Sequence, residues 1–430
     1  MANNNGRPVA VDLFAGAGGM TLGFEQAGFD VLAAVEFDPI HASVHEYNFP
    51  FWTTICRSVT DITGREIRDR AAIGNEDIDV VFGGPPCQGF SLMGKRDLKD
   101  DRNSLVFHFI RLVLELNPKF FVMENVRGMT IGKHKEVLQN VIKTFQKHGY
   151  QVIEKYKVLN AANYGVPQNR RRLFLIGCRQ DLNLPDYPLP STQPPAKKAT
   201  RAKLTDSHLP QTSNVREAIA DIPEVNYYPE LEHRDWVKAD YGQPSLYASQ
   251  LRNLVLIEDD YSYPREYNPR LLTCSRRTKH TAQTIARFAA TEPGQSDRIS
   301  HFYRLDLNGL CNTLRAGTAS NRGAYTSPRP IHPITPRCIT VREAARLHSY
   351  PDWFMFHATK WHGFRQIGNS VPPLLAKAIA RQIINALEII PIKPQEKYNL
   401  ASRELLEFKM TEAEAYHNLK SRAIARRIVK

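Results

Sequence analysis

The sequence predicts an α/β protein: a sheet-bearing body with a second, smaller and irregular domain. Three observations predict it. Short apolar runs alternate with helix-like patterns through the first 180 residues. The texture turns proline-rich and cationic near residue 181, and helical patterns return from residue 338. The strand-like runs are continuously apolar, which suits a parallel sheet covered on both faces.

In chain order, "PVAVDLF" (8–14) reads as a strand ending in glycines, and "TLGFEQAG" as a helix closed by Gly28. "VLAAVE" (31–36) and "IDVVF" (78–82) are the next strands. "SLVFHFIRLVLEL" (104–116) has helical length and stops before Pro118. "KFFVME" (119–124) is a strand, "KEVLQNVIKTFQKHG" a helix, and "LFLIG" (173–177) a later strand. "LPDYPLPSTQPPAKKATRAKLT" reads as a linker, and residues 200–335 show no sustained helix or strand period. In "CITVREAARLHSY", Thr340 with Glu343 three residues on forms a capping box. "PLLAKAIARQIINALEII" (373–390) is an amphipathic helix, and the tail from 391 is helix-prone and basic.

Composition narrows the classes. No apolar run approaches the ~18 residues of a membrane helix, and "MANNNGRPVA" lacks a signal-peptide core. A cytoplasmic protein without membrane contact is expected. The six cysteines include no C-x-x-C pair, so neither a disulfide scaffold nor a metal site is expected. The net charge of +13 favours a polyanionic partner. The charge is uneven: residues 201–260 carry 6 Lys/Arg against 11 Asp/Glu, and residues 270–330 carry 10 against 3. The second stretch suits a phosphate-contacting surface or an ordinary solvated face.

"DLFAGAGGM" (12–20) follows the first strand and opens a helix, but Thr21 stands where a dinucleotide fingerprint would place its third glycine. Gly16 and Gly18 fit a ligand cradle or a plain tight turn. Glu36, 20 residues after Gly16, ends the second strand, where an acidic side chain can take ribose hydroxyls. Phe37 offers a face to a purine. Asp61 in "VTDIT" reads as an acceptor for an amino group or as a helix cap.

"GGPPCQGFS" (83–91) places Cys87 just past a strand, on a loop stiffened by Pro85 and Pro86. Taken singly, Cys87 reads as a buried small residue or as a thiolate nucleophile. Glu124 in "VMENVRG" falls at the same sheet edge, where burial would raise its pKa. In "PQNRRRLFLIG", alternation puts Arg170 and Arg172 on one side, suited to an anion or a carbonyl oxygen.

The ordered set "DLFAGAGGM", "VEFDP", "DIT", "GGPPCQGFS", "ENVRG", "QNRRR", "PRCITVREAARLHSYPDWF" and "QIGNSVPP" resembles the bacterial-type DNA (cytosine-5)-methyltransferases from Val9 to Leu387. The resemblance implies a Rossmann-like, S-adenosylmethionine-dependent methyltransferase domain and a smaller target-recognition domain. Residues 1–180 and 336–392 would form the catalytic domain, 181–335 the linker and recognition domain, and 393–430 a basic tail that packs on the body or stays mobile. Cys87 would be the nucleophile, Glu124 the residue that holds and protonates the cytosine, and Arg170 and Arg172 its neighbours. Phe14, Gly16, Gly18, Glu36, Phe37, Asp61, Ile62, Pro85, Leu105, Asn369 and Ser370 would serve the S-adenosyl-L-methionine cofactor. Gln88, Ser91, Arg276, Arg277, Lys279, Thr313, Leu314 and Arg315 would contact double-stranded DNA.

The implied chemistry explains these residue types. Cytosine C5 becomes nucleophilic when a thiolate adds at C6 and N3 is protonated, and the base must leave the stack to be reached. The resemblance implies a monomer in a restriction-modification system, with any cognate endonuclease acting separately, or an orphan modification enzyme. The alternative is a tRNA cytosine-5 methyltransferase on the same framework. In that branch a Thr commonly replaces the serine found here at Ser91.

Overall fold

The structure is a computed structural model that describes residues 6–86, 105–195, 208–317 and 329–419. Its first half runs β1 (Val9–Leu13), α1 (Gly19–Ala27), β2 (Asp30–Glu36), α2 (Pro39–Asn48), β3 (Thr53–Cys56), α3 (Gly64–Arg70), β4 (Val80–Gly83), α4 (Leu105–Leu116) and β5 (Phe120–Val126). There follow α5 (Lys133–Lys147), β6 (Tyr150–Val152), β7 (Lys157–Asn160) and β8 (Arg171–Arg179). Among the described residues these strands form one sheet of order β3-β2-β1-β4-β5-β8-β6, with β7 also paired to β8.

The expectation of a parallel sheet holds for β1 to β5 and is corrected at one edge, where β8 runs antiparallel to β5, β6 and β7. Parallel neighbours need crossovers of about a dozen residues or more, usually helical. No α-helix intervenes between β6 and β8, so the chain folds back on itself there. Both faces of the sheet are covered, which is why its strands are apolar at both parities. Phe120 and Val122 of β5, with Phe174 and Ile176 of β8, enter the core on the α1 side. Phe121, Met123, Leu173 and Leu175 enter the core on the α4 side. By the same parity Glu124, Arg172 and Arg170 follow the α1 side.

The middle and end of the chain carry α6 (Val215–Ile219), α7 (Leu246–Leu251), α8 (Ala282–Ala290), α9 (Val341–Arg346), α10 (Lys360–Asn369), α11 (Pro373–Ala386) and α12 (Met410–Tyr416). The reading that residues 200–335 lack a sustained helix is corrected by α8, which starts at a Thr281 cap. Val215, Leu231, Leu272 and Leu314 join the α1-side core, whereas Phe288, Ile331 and Cys338 form a small core of their own. Buried ion pairs stitch the middle segment down. Arg265 holds Glu25 of α1 at 2.5 and 2.8 Å, and Arg346 of α9 holds Asp221 at 2.6 Å. The capping box of Thr340 and Glu343 forms at α9.

Helix α11 returns to lie on α1, and glycine makes the approach close. A Cβ on Gly23 would stand 2.4 Å from Ala376 Cβ, and one on Gly19 would stand 2.5 Å from the Val371 carbonyl. The described part of the tail packs on the body, with Leu405 and Leu406 buried and the Leu406 carbonyl accepting from Ala358 N at 2.8 Å.

Candidate active site

The parallel strands place their carboxyl ends along one edge. The order reverses between β1 and β4, so a crevice opens there. On one side of it stands the glycine loop. Phe14 takes a left-handed φ of 68° although it is not glycine, and Gly16 and Gly18 follow with φ of 58° and 102°. Non-glycine residues pay strain for that conformation, and such outliers cluster at functional sites. A Cβ on Gly16 would meet nothing within 4 Å, so its outer side is open.

Glu36 at the end of β2 braces this loop. Its carboxylate accepts from Gly16 N at 2.7 Å and from Asp38 N at 2.8 Å. Burial pushes its pKa up, while His41 and these N–H groups oppose the rise. Phe37 beside it is 46% exposed, which leaves a ring free for stacking. Asp61 is exposed and accepts from Thr60 Oγ1 at 2.7 Å; Thr63, not Asp61, caps α3. Ile62 is buried and Leu105 opens α4 half-buried. Sequence reading missed the buried support behind the loop. Thr21 Oγ1 donates to Asp12 at 2.6 Å and meets His45 Nε2 at 3.0 Å.

Across the crevice, β4 runs into Gly84 and Pro85. A Cβ on Gly84 would stand 2.8 Å from Glu124 Oε2, so this glycine lets the loop pass directly over the carboxyl. The buried Pro85 carbonyl accepts from Asn125 Nδ2 at 2.9 Å, which ties the loop root to the end of β5. Asn125 was not foreseen as a site residue. Cys87, Gln88 and Ser91 lie outside the described residues.

Glu124 pairs with Arg172 Nε at 2.7 Å. The register explains the pair. Glu124 faces Phe174 and Val126 faces Arg172, so Glu124 and Arg172 are diagonal neighbours on one face. Burial raises the Glu124 pKa from the ordinary carboxylate range, and the guanidinium groups of Arg172 and then Arg170 pull it back. A carboxyl so placed keeps its proton to higher pH than an ordinary glutamate and can deliver it.

The expectation that Arg170 acts beside Arg172 on one substrate is corrected. Arg170 is 0% exposed and donates to the carbonyls of Leu314 at 2.8 Å, Gly368 at 2.8 Å and Ser370 at 2.7 Å. Its charge reaches Glu124, but its terminal Nη groups donate to backbone, while its buried Nε has no hydrogen-bond partner among the described residues. Asn369 is exposed at the end of α10, and Ser370 is half-buried beside Gly19 at the start of α1.

The expected DNA contacts are divided. Thr313 Oγ1 donates to the Asn169 carbonyl at 2.6 Å, Leu314 is buried, and Arg315 is exposed. Arg277 pairs with Glu232 and donates to the Asn226 carbonyl at 3.1 Å, and Arg276 Nε donates to the Glu232 carbonyl at 3.4 Å. Lys279 is exposed. Lys360, which sequence reading missed, joins this cluster and donates to the Arg277 carbonyl at 2.8 Å. Burial, and then Arg329 and Arg276, lower its pKa to about 8.

Comparison with known proteins finds relatives along most of the chain. A family model described as C-5 cytosine-specific DNA methylase matches residues 9–385. The chain is 56% identical over 421 residues to the Type II methyltransferase M.XorII of Xanthomonas oryzae pv. oryzae, covering 98% of this chain and 95% of that protein. It is 33% identical to the Type II methyltransferase M.DdeI of Desulfomicrobium norvegicum, covering 87% and 88%. A crystal structure of a prophage-encoded Escherichia coli protein assigned as a DNA modification methyltransferase superposes with a TM-score of 0.70 at 32% identity, over 89% of this chain and all of that one. The S. pombe Dnmt2 methyltransferase shares the fold, with a TM-score of 0.52 at 16% identity, over 89% of this chain and 100% of that chain.

Proposed function

Because the chain belongs to the C-5 cytosine-specific DNA methylases, we propose that it methylates C5 of a flipped cytosine in double-stranded DNA through a Cys87 adduct, using S-adenosylmethionine. The observation that carries this reading is the meeting of Glu124, Arg172 and the Gly84–Pro85 loop root at one sheet edge. Cys87 follows Pro85 by two residues.

The crevice suits the methyl donor. The open side of Gly16, the braced Glu36 carboxylate and the exposed Phe37 ring offer a cradle, a partner for ribose hydroxyls and a stacking face. Phe14, Gly18, Asp61, Ile62, Pro85, Leu105, Asn369 and Ser370 complete the proposed binding set. The bound cofactor supplies an electrophilic methyl on a sulfonium.

The chain's own residues do the rest. The Cys87 thiolate adds to cytosine C6 while Glu124 gives a proton to N3, steadied by Arg172. The electron pair gathered at C5 would then take the methyl as its bond to the sulfonium sulfur breaks, leaving S-adenosylhomocysteine. Loss of the C5 proton to a water or another base then restores the C5–C6 double bond and expels Cys87 as thiolate, and N3 returns its proton to Glu124. One hard substitution is split into two easier steps. Gln88, Ser91, Lys279, Thr313 and Arg315 are proposed to meet the duplex.

We propose a monomer acting in the cytoplasm. Its Type II relatives support a restriction-modification role, with any endonuclease acting separately. No described helix is long and apolar enough to cross a membrane. The tRNA reading is not favoured, since the DNA-modifying relatives align over most of the chain. Bisulfite sequencing of DNA from cells expressing the chain tests the proposal. Conversion-resistant cytosines at one motif are expected with the native chain and absent with Cys87→Ser. Near-normal methylation by Cys87→Ser at equal protein and cofactor would remove the nucleophile assignment.

A further inference from the structure

We infer that Arg170, Gln168 and His348 are positioning residues that couple duplex recognition to cofactor binding. The inference rests on the proposal that residues 313–315 face the duplex and Asn369–Ser370 the cofactor.

Two segments distant in sequence meet at these side chains. Residues 311–314 run beside residues 167–169 like an added strand: Cys311 N donates to the Pro167 carbonyl at 2.9 Å, and Asn169 N donates to the Cys311 carbonyl at 2.8 Å. Both backbone groups of Leu314 are then taken by side chains. Its N–H donates to Gln168 Oε1 at 3.1 Å, and its carbonyl accepts from Arg170 at 2.8 Å.

The same side chains grip the cofactor segment from the other side. Arg170 donates to the carbonyls of Gly368 and Ser370. Gln168 Nε2 approaches His348 Nδ1 at 2.9 Å, and His348 Nε2 meets Ser370 Oγ at 3.1 Å. An amide N–H can only donate, so this bond assigns the His348 proton to Nε2, which then donates to Ser370 while Ser370 Oγ donates to the Ile367 carbonyl at 2.9 Å. The backbones also touch without a spacer: a Cβ on Gly368 would stand 2.3 Å from Ala316 N.

Arg170, Gln168 and His348 are each 0% exposed. Water cannot replace a partner that moves away, so a shift at Leu314 must be followed at Gly368 and Ser370 or leave buried donors unpaired. The exposed residues lie at the two ends of this buried cluster, Arg315 at one and Asn369 at the other. A ligand that orders one end therefore favours the arrangement the other ligand needs, and the effect is reciprocal.

The test measures coupling, not activity. The affinity for S-adenosylhomocysteine is determined by calorimetry, alone and with a saturating duplex built around the site that bisulfite sequencing reports. A native coupling of about tenfold is expected, within the usual allosteric range. In Arg170→Lys and in His348→Asn it should fall below about twofold, with circular dichroism showing folded protein. Arg265→Lys, which disturbs a buried pair elsewhere, should weaken the fold and leave the coupling whole. Full coupling in either relay variant, or none in the native chain when both ligands bind, overturns the inference alone. A native chain that binds neither ligand overturns the functional reading together with it.

Discussion

Glu124 stands between opposed influences, burial raising its pKa and Arg172 lowering it. The balance bears directly on the reaction, because the proposed step needs the proton on Glu124. A raised pKa keeps the carboxyl protonated to higher pH than an ordinary glutamate, and the rate falls as pH rises through that value. Removing the cation that holds the pKa down raises it further. In Arg172→Met the alkaline limb of kcat/KM should therefore move to higher pH while the rate itself drops. Glu124→Gln, which keeps hydrogen bonding but has no acidic proton, should lose about 10²–10⁴ in turnover. A pH–rate profile of the three proteins checks both outcomes; an alkaline limb unmoved in Arg172→Met would argue against Glu124 as the acid. Glu124 and Arg172 were legible in the sequence because period-two alternation fixes which side chains share a face. The same rule placed Arg170 on that face, yet burial and three carbonyl acceptors gave it another task.

The basic segment 275–280 shows how an element differs from its composition. Its cations stand out in the sequence, and so does the acidic excess of the stretch before it. The fold brings the two together at one ion pair, Glu232 with Arg277, while Glu224 and Asp235 pair with Arg337 and Arg403 outside the segment. Part of the apparent positive surface is thus neutralised before DNA arrives. The cations are unequal in consequence. Lys279→Ala should reduce the slope of log binding constant against log salt by about one, as expected for a lost phosphate contact. Arg277→Ala should change the slope less, since Glu232 is freed as the guanidinium is lost. Equal slopes for the two variants would show that Arg277 reaches phosphate despite its pairing. Binding of labelled duplex across a salt series makes the comparison. The helix α8 escaped the sequence reading because it is short: Ile285 and Phe288 share one face, but nine residues give little more than two turns of pattern, and only Phe288 is buried.

At the scale of the molecule, buried histidines make the fold sensitive to acid. Burial lowers His45 to about 3, far below the ordinary histidine value, and its ring is held between Thr21 and Thr54. Below about pH 6.5 the unfolded chain binds a proton there and the folded chain does not, so stability falls with pH from that point down toward 3. Each such histidine contributes about 2 kcal/mol of loss at pH 5. Asp12, Glu25, Glu36 and Glu124, all raised by burial, act in the opposite sense. A difference measurement isolates the effect: between pH 7.5 and 5, His45→Gln should lose about 2 kcal/mol less unfolding free energy than the native chain. Denaturant unfolding at the two pH values reads it, and an identical loss in both proteins would mean that His45 titrates freely in the fold.

The sequence by itself determined the alternating body, the motif order, the glycine loop and the parity of Glu124 and Arg172. Those features depend on residues near one another in the chain, or on periodicities that survive without tertiary context. Tertiary structure decided the antiparallel edge, the partial neutralisation of the basic segment, and the seating of the middle segment on the main core. It also turned Arg170 from a presumed substrate contact into a buried tie between Leu314 and Ser370. These outcomes depend on which distant groups meet once water is excluded, and a buried donor takes whichever acceptor the packing brings to it.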